Sequence, residues 1–221
     1  MKFKRYAIYY IPEMDAEFYK SGTKWLGWDV FTGKKKVNNK DHITKNARRY
    51  GFHGTLYPPF ELKSKINFND FEKSVDQFAK NKKAFDMGKG KITNLDQFIA
   101  ICFNESEKKL KFFAADCIKY FHNYRKYPSQ NELEKRRKIG LTKRQEKNLV
   151  EWGYPYVMEE FKFHMTLTGH LQDNEKKLIE SKLKKIFISS FNNPIKFNSI
   201  CLLGEDADNF FHFINRFYLS D

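Results

Sequence analysis

The sequence predicts an α+β fold in which one structural unit occurs twice along the chain. A His-x-Thr pattern on an alternating apolar and polar strand is found at 53–55 and again at 164–166. In both places the predicted order of the following elements is helix, strand, strand. Phe98 follows the first pattern at nearly the same distance as Phe210 follows the second. Equal order and equal spacing indicate an internal duplication.

The first repeat is expected at about 1–105 and begins with an alternating strand. Glycine and lysine punctuate residues 25–51, which predicts mostly a connection. Pro58 and Pro59 are expected to end the first motif strand, and Asn69 to cap the following helix. The predicted elements are strands at 4–11 and 51–60, a helix at 69–80, and strands at 85–92 and 98–103.

The second repeat is expected at about 106–221, with an insertion at about 125–152. That insertion is basic, and Thr142 with Gln145 predicts a capping box for a helix that ends at Gly153. Two interpretations of it stay open: a solvated charged face, or a lid that clamps substrate. The other predicted elements are helices from 107 to 124 and from Asp173, and strands at 161–170, 196–205 and 209–219.

Composition narrows the class of protein. Aromatic residues make up 17% of the 221 residues, which favours a substantial core and not disorder. The formal charge of +14 favours anionic partners such as phosphate esters or RNA, although a lysine-rich solvated surface also explains it. No run of about 18 apolar residues predicts a membrane span. Three cysteines without metal-ligand spacing indicate core thiols, and hence a cytoplasmic protein.

The two motifs suit acid–base chemistry at a phosphodiester. Histidine and threonine two residues apart project from the same face of a strand. If the two repeats pack about a pseudo-twofold axis, one concave surface presents two imidazoles and two hydroxyls. One neutral imidazole can then accept a proton from the attacking group, and one imidazolium can donate to the leaving oxygen. The hydroxyls can hold the phosphoryl oxygens.

Other interpretations of these histidines are weaker. A metal site lacks a third ligand at suitable spacing, and GKGK at 88–91 lacks the Walker pattern of phosphate-binding loops. Structural histidines in both strands remain an alternative. His170 follows a glycine at a strand end and is compatible with either role. The histidines outside the repeated pattern are expected to be structural or at the surface: His42, His122 and His212.

Together these patterns resemble the 2H (two-histidine) phosphoesterase superfamily. The resemblance is nearest to a branch described as phosphonate-metabolism proteins, and it extends over nearly the whole chain. The segments that carry it are RYAIYYIP at 5–12, WLGWD with a following TG at 25–33, YGFHGTLYPPF at 50–60, RRKIGLTKRQEKNLVEWGYPYV at 136–157 and FKFHMTLTGHL at 161–171.

The resemblance implies one bilobal domain over 1–221, with antiparallel sheets around a central cleft. It implies catalysis without metal or cofactor, with His53 and His164 transferring protons and Thr55 and Thr166 contacting the phosphoryl oxygens. The branch has a lysine where this chain has Tyr57; Tyr57 is still expected among the substrate-binding residues, while the phosphate contact of that lysine is expected to come from elsewhere. The candidates for that contact and for stacking on a base or sugar are Arg136, Arg137, Tyr154 and Tyr156.

The sequence therefore predicts a metal-independent phosphoesterase that opens a small cyclic phosphate of a sugar or nucleotide, with a role in phosphonate metabolism. Two alternatives stay open. One is a cyclic phosphodiesterase acting on RNA ends, and the other is a non-enzymatic protein that binds nucleotides or nucleic acid in a basic cleft. The expected partner is a small phosphorylated molecule, with RNA possible and no membrane. The sequence does not assign the acid and the base, nor the oligomeric state.

Overall fold

The computed structural model describes residues 3–36 and 40–221. Its helices are α1 (Glu17–Leu26), α2 (Asp41–Arg48), α3 (Phe68–Lys80), α4 (Glu107–Phe121), α5 (Gln130–Arg137), α6 (Lys143–Trp152) and α7 (Asp173–Phe187). Its strands are β1 (Arg5–Tyr10), β2 (Trp28–Asp29), β3 (Lys34–Lys35), β4 (Gly54–Phe60), β5 (Phe85–Asp86), β6 (Lys91–Leu95), β7 (Phe98–Cys102), β8 (Met165–Thr166), β9 (Lys196–Phe197), β10 (Ser199–Glu205) and β11 (Phe211–Tyr218).

The fold is a mixed α/β arrangement with several antiparallel sheets. The largest sheet has the strand order β11-β10-β1-β4, and a three-stranded sheet has the order β6-β7-β8. There are also two short two-stranded sheets, the hairpin of β2 with β3 and the pairing of β5 with the distant β9. The first motif strand, β4, is therefore an edge of one sheet, and the second, β8, is an edge of another. A site between these two edges can draw on both motifs.

The same order of elements follows both motif strands. After β4 come α3, the two-residue strand β5, and then β6 and β7. After β8 come α7, the two-residue strand β9, and then β10 and β11. The two short strands pair with each other, Phe85 opposite Phe197. The predicted order of helix, strand, strand is thus present in both halves, with one extra short strand in each.

A single cluster of buried apolar side chains runs beneath the sheets and helices. The helix predicted from residue 107 illustrates how the apolar spacing produces it. All six positions that the periodicity assigned to the buried face are buried: Leu110, Phe113, Ala114, Cys117, Ile118 and Phe121. Full burial of one such large side chain contributes roughly 1.5–3 kcal/mol. The three cysteines are buried and free, as expected for core thiols.

Residues 25–51 are more regular than a connection. Helix α1 ends at Gly27, whose φ of 86° is the left-handed conformation that glycine adopts readily. A short hairpin follows, and then α2, whose buried Ile43 and Ala47 lie four residues apart on one face. The apolar stripe of α2 is narrow and lies among many lysines. The sequence pattern therefore predicts a connection at 25–51 where the structure has a helix and a hairpin. Residues 37–39 lie outside the described residues.

Several predicted boundaries are wrong for local reasons. Strand β4 continues through both prolines to Phe60, because it is an edge strand and its pairing with β1 is irregular between Tyr57 and Phe60, where the prolines lie. The cap of α3 is Asn67, whose side chain accepts from the N–H of Asn69, and the cap of α7 is Gln172 instead of Asp173. The strand predicted at 85–92 is two separate strands. Of the predicted strand 161–170, only β8 pairs in a ladder.

The basic insertion forms the two helices α5 and α6. The predicted capping box of Thr142 and Gln145 is present, and Gly153 ends α6 with a φ of 68°. The buried Arg125 guanidinium donates to the carbonyls of Trp152 and Gly153, which α6 leaves unpaired at its end. The insertion is thereby fixed to the chain that leads into the second motif. Among the described residues, no helix has both the length and the apolar character that crossing a bilayer requires.

Candidate active site

Two adjoining cavities lie between the motif strands. One, of about 450 Å³, is lined by His53 and by the guanidinium groups of Arg5 and Arg136, and is called the arginine chamber here. The other, of about 720 Å³, is lined by His164 and by several aromatic rings, and is called the aromatic chamber. They share four lining residues, so together they form one cleft: Thr55, Pro58, Phe98 and Tyr154.

The close approach of the two motif strands depends on the middle residue of the first motif. Gly54 packs against the ring of Phe163, the residue just before His164. A Cβ at position 54 would lie 2.2 Å from Cζ of that ring, which no real contact tolerates. Glycine at this position therefore lets β4 and the second motif come within reach of one ligand.

His53 is held by three neighbours. Its Nδ1 lies 3.0 Å from the carbonyl oxygen of Gly51, and its Nε2 lies 3.2 Å from Oγ1 of Thr55. Its ring stacks on Tyr9, with 3.9 Å between centroids. Because a carbonyl only accepts, Nδ1 carries the proton of the neutral ring. Nε2 is then the nitrogen that can accept a proton, and the Thr55 hydroxyl donates to it.

His164 repeats this arrangement. Its Nδ1 lies 2.8 Å from the carbonyl oxygen of Lys162, again two residues earlier in the chain. The carbonyl fixes the same tautomer, so Nε2 is the basic nitrogen here too. Among the described residues this Nε2 has no hydrogen-bond partner. Both imidazoles are thus oriented by their own backbone.

Burial makes both imidazoles hard to protonate. The pKa of His53 is lowered to about 4, chiefly by burial and to a smaller extent by repulsion from a charge on His164. The pKa of His164 is also lowered, first by burial and then by the charge of Lys162. Both rings are therefore neutral at pH 7 in the free protein. An anionic ligand between them would favour protonation of one.

The threonines of the motifs line the arginine chamber. Thr55 and Thr166 are half-buried, one on each motif strand. Thr168, which strand alternation placed on the same outward face as Thr166, is buried, and its hydroxyl accepts the N–H of Ile99. It lies against the arginine chamber, but its hydroxyl is engaged by the backbone of β7, so it serves to hold that strand. His170 lies at the exposed rim of the chamber.

Tyr57 does not line either chamber. It is completely buried, and its ring packs on Phe60 and Phe121. The pairing of β4 with β1 shifts register between Thr55 and Tyr57, so one extra residue is accommodated there. A bulge of this kind turns the next side chain to the opposite face. The alternation that predicted Tyr57 beside the motif is interrupted at that point.

The two neighbouring arginines of the insertion point in different directions from helix α5. Arg136 lines the arginine chamber, where its guanidinium lies 4.7 Å from the centroid of the Tyr154 ring. Arg137 points away and donates to Glu146 at the surface. Consecutive helical residues project about 100° apart, so one can reach the cleft while the other cannot.

Tyr154 and Tyr156 both lie at the cleft, as the sequence predicted. Tyr154 belongs to both chambers, and Tyr156 lines the aromatic chamber at its exposed mouth. Their rings meet edge to face with 5.8 Å between centroids. This geometry leaves ring faces that a sugar or a base can cover.

Two important lining residues, Arg5 and Tyr9, were not among the sequence candidates. They lie on one face of β1 with Ala7, and Arg5 donates from Nε and Nη2 to Glu205, at 2.5 and 2.6 Å. Their alternation was visible in the sequence. What it did not reveal is that this face, and not the opposite one, looks into the cleft.

The arginine chamber has an anion-binding character. No aspartate or glutamate is among its lining residues, whereas Arg5, Arg136 and two histidines are. The aromatic chamber is mixed, with Asp96 and Glu160 beside Lys162. Across the described part of the chain, no three side chains of His, Cys, Asp or Glu converge as a metal site.

Comparison with known proteins supplies a family and two curated relatives. The family described as "Protein of unknown function (DUF1045)" matches residues 55–212, a range that begins just after His53. "Ribose 1,5-bisphosphate phosphokinase PhnN" of Janthinobacterium sp. (strain Marseille) is 35% identical over 176 residues, 76% of this chain and 39% of the relative. The protein of the same name from Laribacter hongkongensis (strain HLHK9) is 26% identical over 176 residues, 76% of this chain and 41% of the relative. The chain spans about two fifths of the length of these relatives.

Proposed function

The chain belongs to the family described as protein of unknown function (DUF1045), and we propose that it is a two-histidine phosphoesterase that opens a small cyclic phosphate. The observation that carries the proposal is the matched setting of the two histidines. Each donates from Nδ1 to the carbonyl two residues before it, and each lines one chamber of the same cleft. Acid–base opening of a cyclic phosphodiester needs one group that accepts a proton and one that donates a proton. The Nε2 atoms of the two imidazoles can serve as these groups.

The proposal includes the bilobal, duplicated architecture of the 2H superfamily. Its support is the identical order of elements after β4 and after β8, and the pairing of the equivalent short strands β5 and β9. A pseudo-twofold relation between the halves accounts for both observations. It also accounts for the equivalent hydrogen bonds of His53 and His164.

The reaction we propose is a hydrolysis in which atoms and protons balance. One imidazole accepts a proton from water at Nε2 while the water oxygen attacks phosphorus. The bond from phosphorus to one ring oxygen breaks, and the other imidazole, as its cation, donates a proton to that oxygen. Hydroxyl groups of Thr55 and Thr166 donate to the non-bridging oxygens as their charge grows. The product is a phosphate monoester with a free hydroxyl beside it.

We assign the base to His53 and the acid to His164. His53 stacks beneath Tyr9 and has a pKa lowered to about 4, so it remains neutral through the working range of pH. A neutral imidazole is what a general base requires. His164 can receive its proton together with an anionic substrate, since a phosphodiester beside it favours the imidazolium.

For the substrate we propose a cyclic phosphate of ribose. The curated relatives are named for a ribose carrying two phosphates, and the match covers 76% of this chain. It covers only about two fifths of the relatives, and GKGK at 88–91 lacks the Walker pattern, so we do not extend their kinase activity to this chain. A cyclic sugar phosphate is also consistent with a role in phosphonate metabolism, which the sequence resemblance implies.

A second candidate is the cleavage of cyclic phosphates at RNA ends. It is favoured by the formal charge of +14 and by the aromatic rings at the mouth of the cleft. A long RNA displaces many counterions when it binds, so its affinity falls steeply with salt. A small cyclic phosphate contacts only the enclosed chambers and is expected to show modest salt dependence.

The testing experiment is a screen of cyclic phosphates with identification of the products by phosphorus NMR. The panel contains ribose 1,2-cyclic phosphate, nucleoside 2′,3′-cyclic phosphates and a short RNA with a 2′,3′-cyclic end, each at low and high salt. We expect turnover of the ribose compound with little effect of salt. Turnover confined to the RNA, with a steep loss at high salt, supports the second candidate. Salt-sensitive RNA binding with no turnover of any compound refutes both enzymes and supports a binding protein.

A further inference from the structure

We propose that Arg5 and Arg136 form a second anion subsite in the arginine chamber, and that the substrate carries a phosphate monoester besides its cyclic phosphate. The inference rests on the proposed function, which it deepens. The cyclic phosphate would lie between the two histidines. The monoester would lie at the other end of the chamber, against the two guanidinium groups.

Arg5 is held rigidly with part of its donor set unused. Two of its nitrogens donate to Glu205, whose side chain is only 1% exposed and does not line the chamber. This bidentate bond fixes the plane of the guanidinium. The third nitrogen, Nη1, donates to no described residue. Arg5 therefore presents oriented N–H groups to the chamber while its own position is secured from behind.

Arg136, which also lines the arginine chamber, likewise has part of its donor set unused. Its Nη2 donates to Glu132 at 2.9 Å, and its plane is supported by the ring of Tyr154. Its Nε is buried without a hydrogen-bond partner among the described residues and is closed off from the chamber, whereas its Nη1, like that of Arg5, donates to no described residue. Buried donors in native proteins are nearly always satisfied, so unused donors of a guanidinium that lines a cavity indicate a ligand with acceptor atoms.

The position of this subsite differs from that of the histidines. Arg5 and Tyr9 lie four residues apart on β1, about 13 Å between Cα atoms at the usual rise of a strand, and Tyr9 is the ring that covers His53. Both arginines line the arginine chamber, whereas His164 lines the aromatic chamber. We place the sugar of the substrate between these two parts of the cleft.

The chemistry of the chamber selects a dianionic group. Guanidinium groups match the oxygens of a phosphate monoester and bind it with several charge-assisted hydrogen bonds. No carboxylate lines the chamber itself, although each guanidinium is paired from outside the lining, Arg5 with Glu205 and Arg136 with Glu132. A pentose with a cyclic phosphate at one end and a monoester at the other can offer one anionic group to the histidines and the other to the guanidinium groups.

The first experiment compares two substrates, ribose 1,2-cyclic phosphate with and without a 5-phosphate. We expect the 5-phosphate to raise kcat/KM at least tenfold in the wild-type protein. Arg136→Gln should abolish most of that preference, because it removes the guanidinium and keeps a polar side chain. Arg137→Gln is the matched control, since Arg137 is the adjacent residue and lies outside the cleft; it should keep the preference. Equal preference in both variants would overturn the subsite.

Arg5 requires a milder substitution, because its removal leaves Glu205 buried without a partner. Arg5→Lys keeps the ion pair and loses the free Nη1 donors. We expect it to reduce the preference for the 5-phosphate while the turnover of the unphosphorylated compound changes little. If Arg5→Lys reduces the turnover of both compounds equally, Arg5 stabilises the sheet through its ion pair with Glu205 and does not bind the monoester.

A binding measurement separates this inference from the proposed reaction. Ribose 5-phosphate has no cyclic phosphate, so calorimetry with it needs no turnover. It should bind the wild-type protein, the Arg137→Gln variant and the double variant His53→Ala, His164→Ala, and bind Arg136→Gln at least tenfold more weakly; ribose itself should not bind. That result supports the subsite even if no cyclic phosphate is opened, an outcome that would refute the reaction alone. Equal binding of ribose and ribose 5-phosphate to the wild-type protein would refute the subsite.

Discussion

Each motif histidine has its Nδ1 committed to the backbone; the Nε2 of His164 has no partner among the described residues, and that of His53 is hydrogen-bonded only to the Thr55 hydroxyl, which can turn to the substrate. The carbonyls of Gly51 and Lys162 hold the two Nδ1 atoms, so both Nε2 atoms remain available in the neutral rings. An imidazole fixed in this way can transfer a proton without first reorienting. The carbonyl that orients each ring lies only two residues before the histidine. A short segment of sequence is therefore enough to fix the imidazole.

Replacement of either histidine should therefore remove one proton transfer and leave the fold intact. We expect His53→Ala and His164→Ala each to lower kcat on the cyclic phosphate by roughly 10² or more. The double variant should lose less than the product of the two effects, because the residues act as a unit. His42→Ala is the control, since His42 is an exposed histidine on α2. Near-normal turnover in either single variant would contradict the assignment.

The lowered pKa values also predict the pH dependence of kcat/KM. Activity needs His53 neutral, so it should rise with pH through about 4. It also needs His164 protonated, so it should fall as pH rises through the lowered pKa of that residue, below 6.5. The bell should lie on the acidic side of neutrality, whereas unperturbed histidines predict an optimum near neutrality. A pH series of kcat/KM measures this, and a plateau that extends above pH 8 would refute the roles.

Individual residues show what the sequence could and could not predict at this scale. Strand alternation correctly brought His164 and Thr166 to the cleft. It failed at Tyr57, where the strand bulges, because alternation holds only while the pleat is regular. A bulge depends on the partner strand, and no pattern in β4 alone indicates it.

At the scale of elements, the decisive contact is between the two motif strands. It depends on Gly54, where a side chain would occupy the space of the Phe163 ring. Phe163 is adjacent to His164, so a displacement of that ring displaces the imidazole as well. The distance between acid and base is therefore set by a position that performs no chemistry.

Gly54→Ala should lower kcat more than it lowers stability. The added methyl group forces the strands apart, and small misplacements of reacting groups cost about 10² in rate, while such overpacking costs typically 1–3 kcal/mol of stability. Gly90→Ala is a matched control, because its Cβ would meet the Phe191 ring at 2.3 Å, outside both chambers. Kinetics with chemical denaturation would measure both effects. A similar loss of kcat in the two variants would argue against a special role for Gly54.

Helices in this chain were predictable when their apolar stripe was wide. The six buried positions of α4 recur at helical spacing and predicted that helix correctly. Helix α2 buries only Ile43, Thr44 and Ala47 within eight residues, so its pattern was lost among charged neighbours. Short helices of this kind are stabilised by tertiary packing, which a local sequence window does not contain.

At the scale of the whole molecule, we expect catalysis without a metal ion. The proposed reaction uses two imidazoles for proton transfer and two hydroxyls and guanidinium groups for charge. Exhaustive treatment with EDTA should therefore leave the turnover of the cyclic phosphate unchanged, and zinc or manganese should not raise it. Loss of activity on chelation and recovery with one of these ions would show that the acid–base description is wrong.

Contacts between residues far apart in the sequence were the features least predictable from it. The guanidinium of Arg5 is held by Glu205, 200 residues later in the chain, and the face of β1 that looks into the cleft is set by that pairing. Composition and periodicity describe neighbours within about twenty residues. The arginine chamber could not be predicted from them, although the motif histidines could.

The exchange of strands between the two halves has a consequence for how the protein is made. Strands β10 and β11 complete the sheet that begins with β1 and β4, and β8 completes the sheet of β6 and β7. The larger sheet cannot close until β10 and β11 have left the ribosome, and the sheet of β6 and β7 is incomplete until β8 has, since each needs partners from both halves. Such distant pairings fold slowly, and an unfinished chain exposes the edges of β1 and β7 to other chains. Activity in this protein should therefore appear only with the complete polypeptide, and fragments of either half should aggregate instead of folding independently.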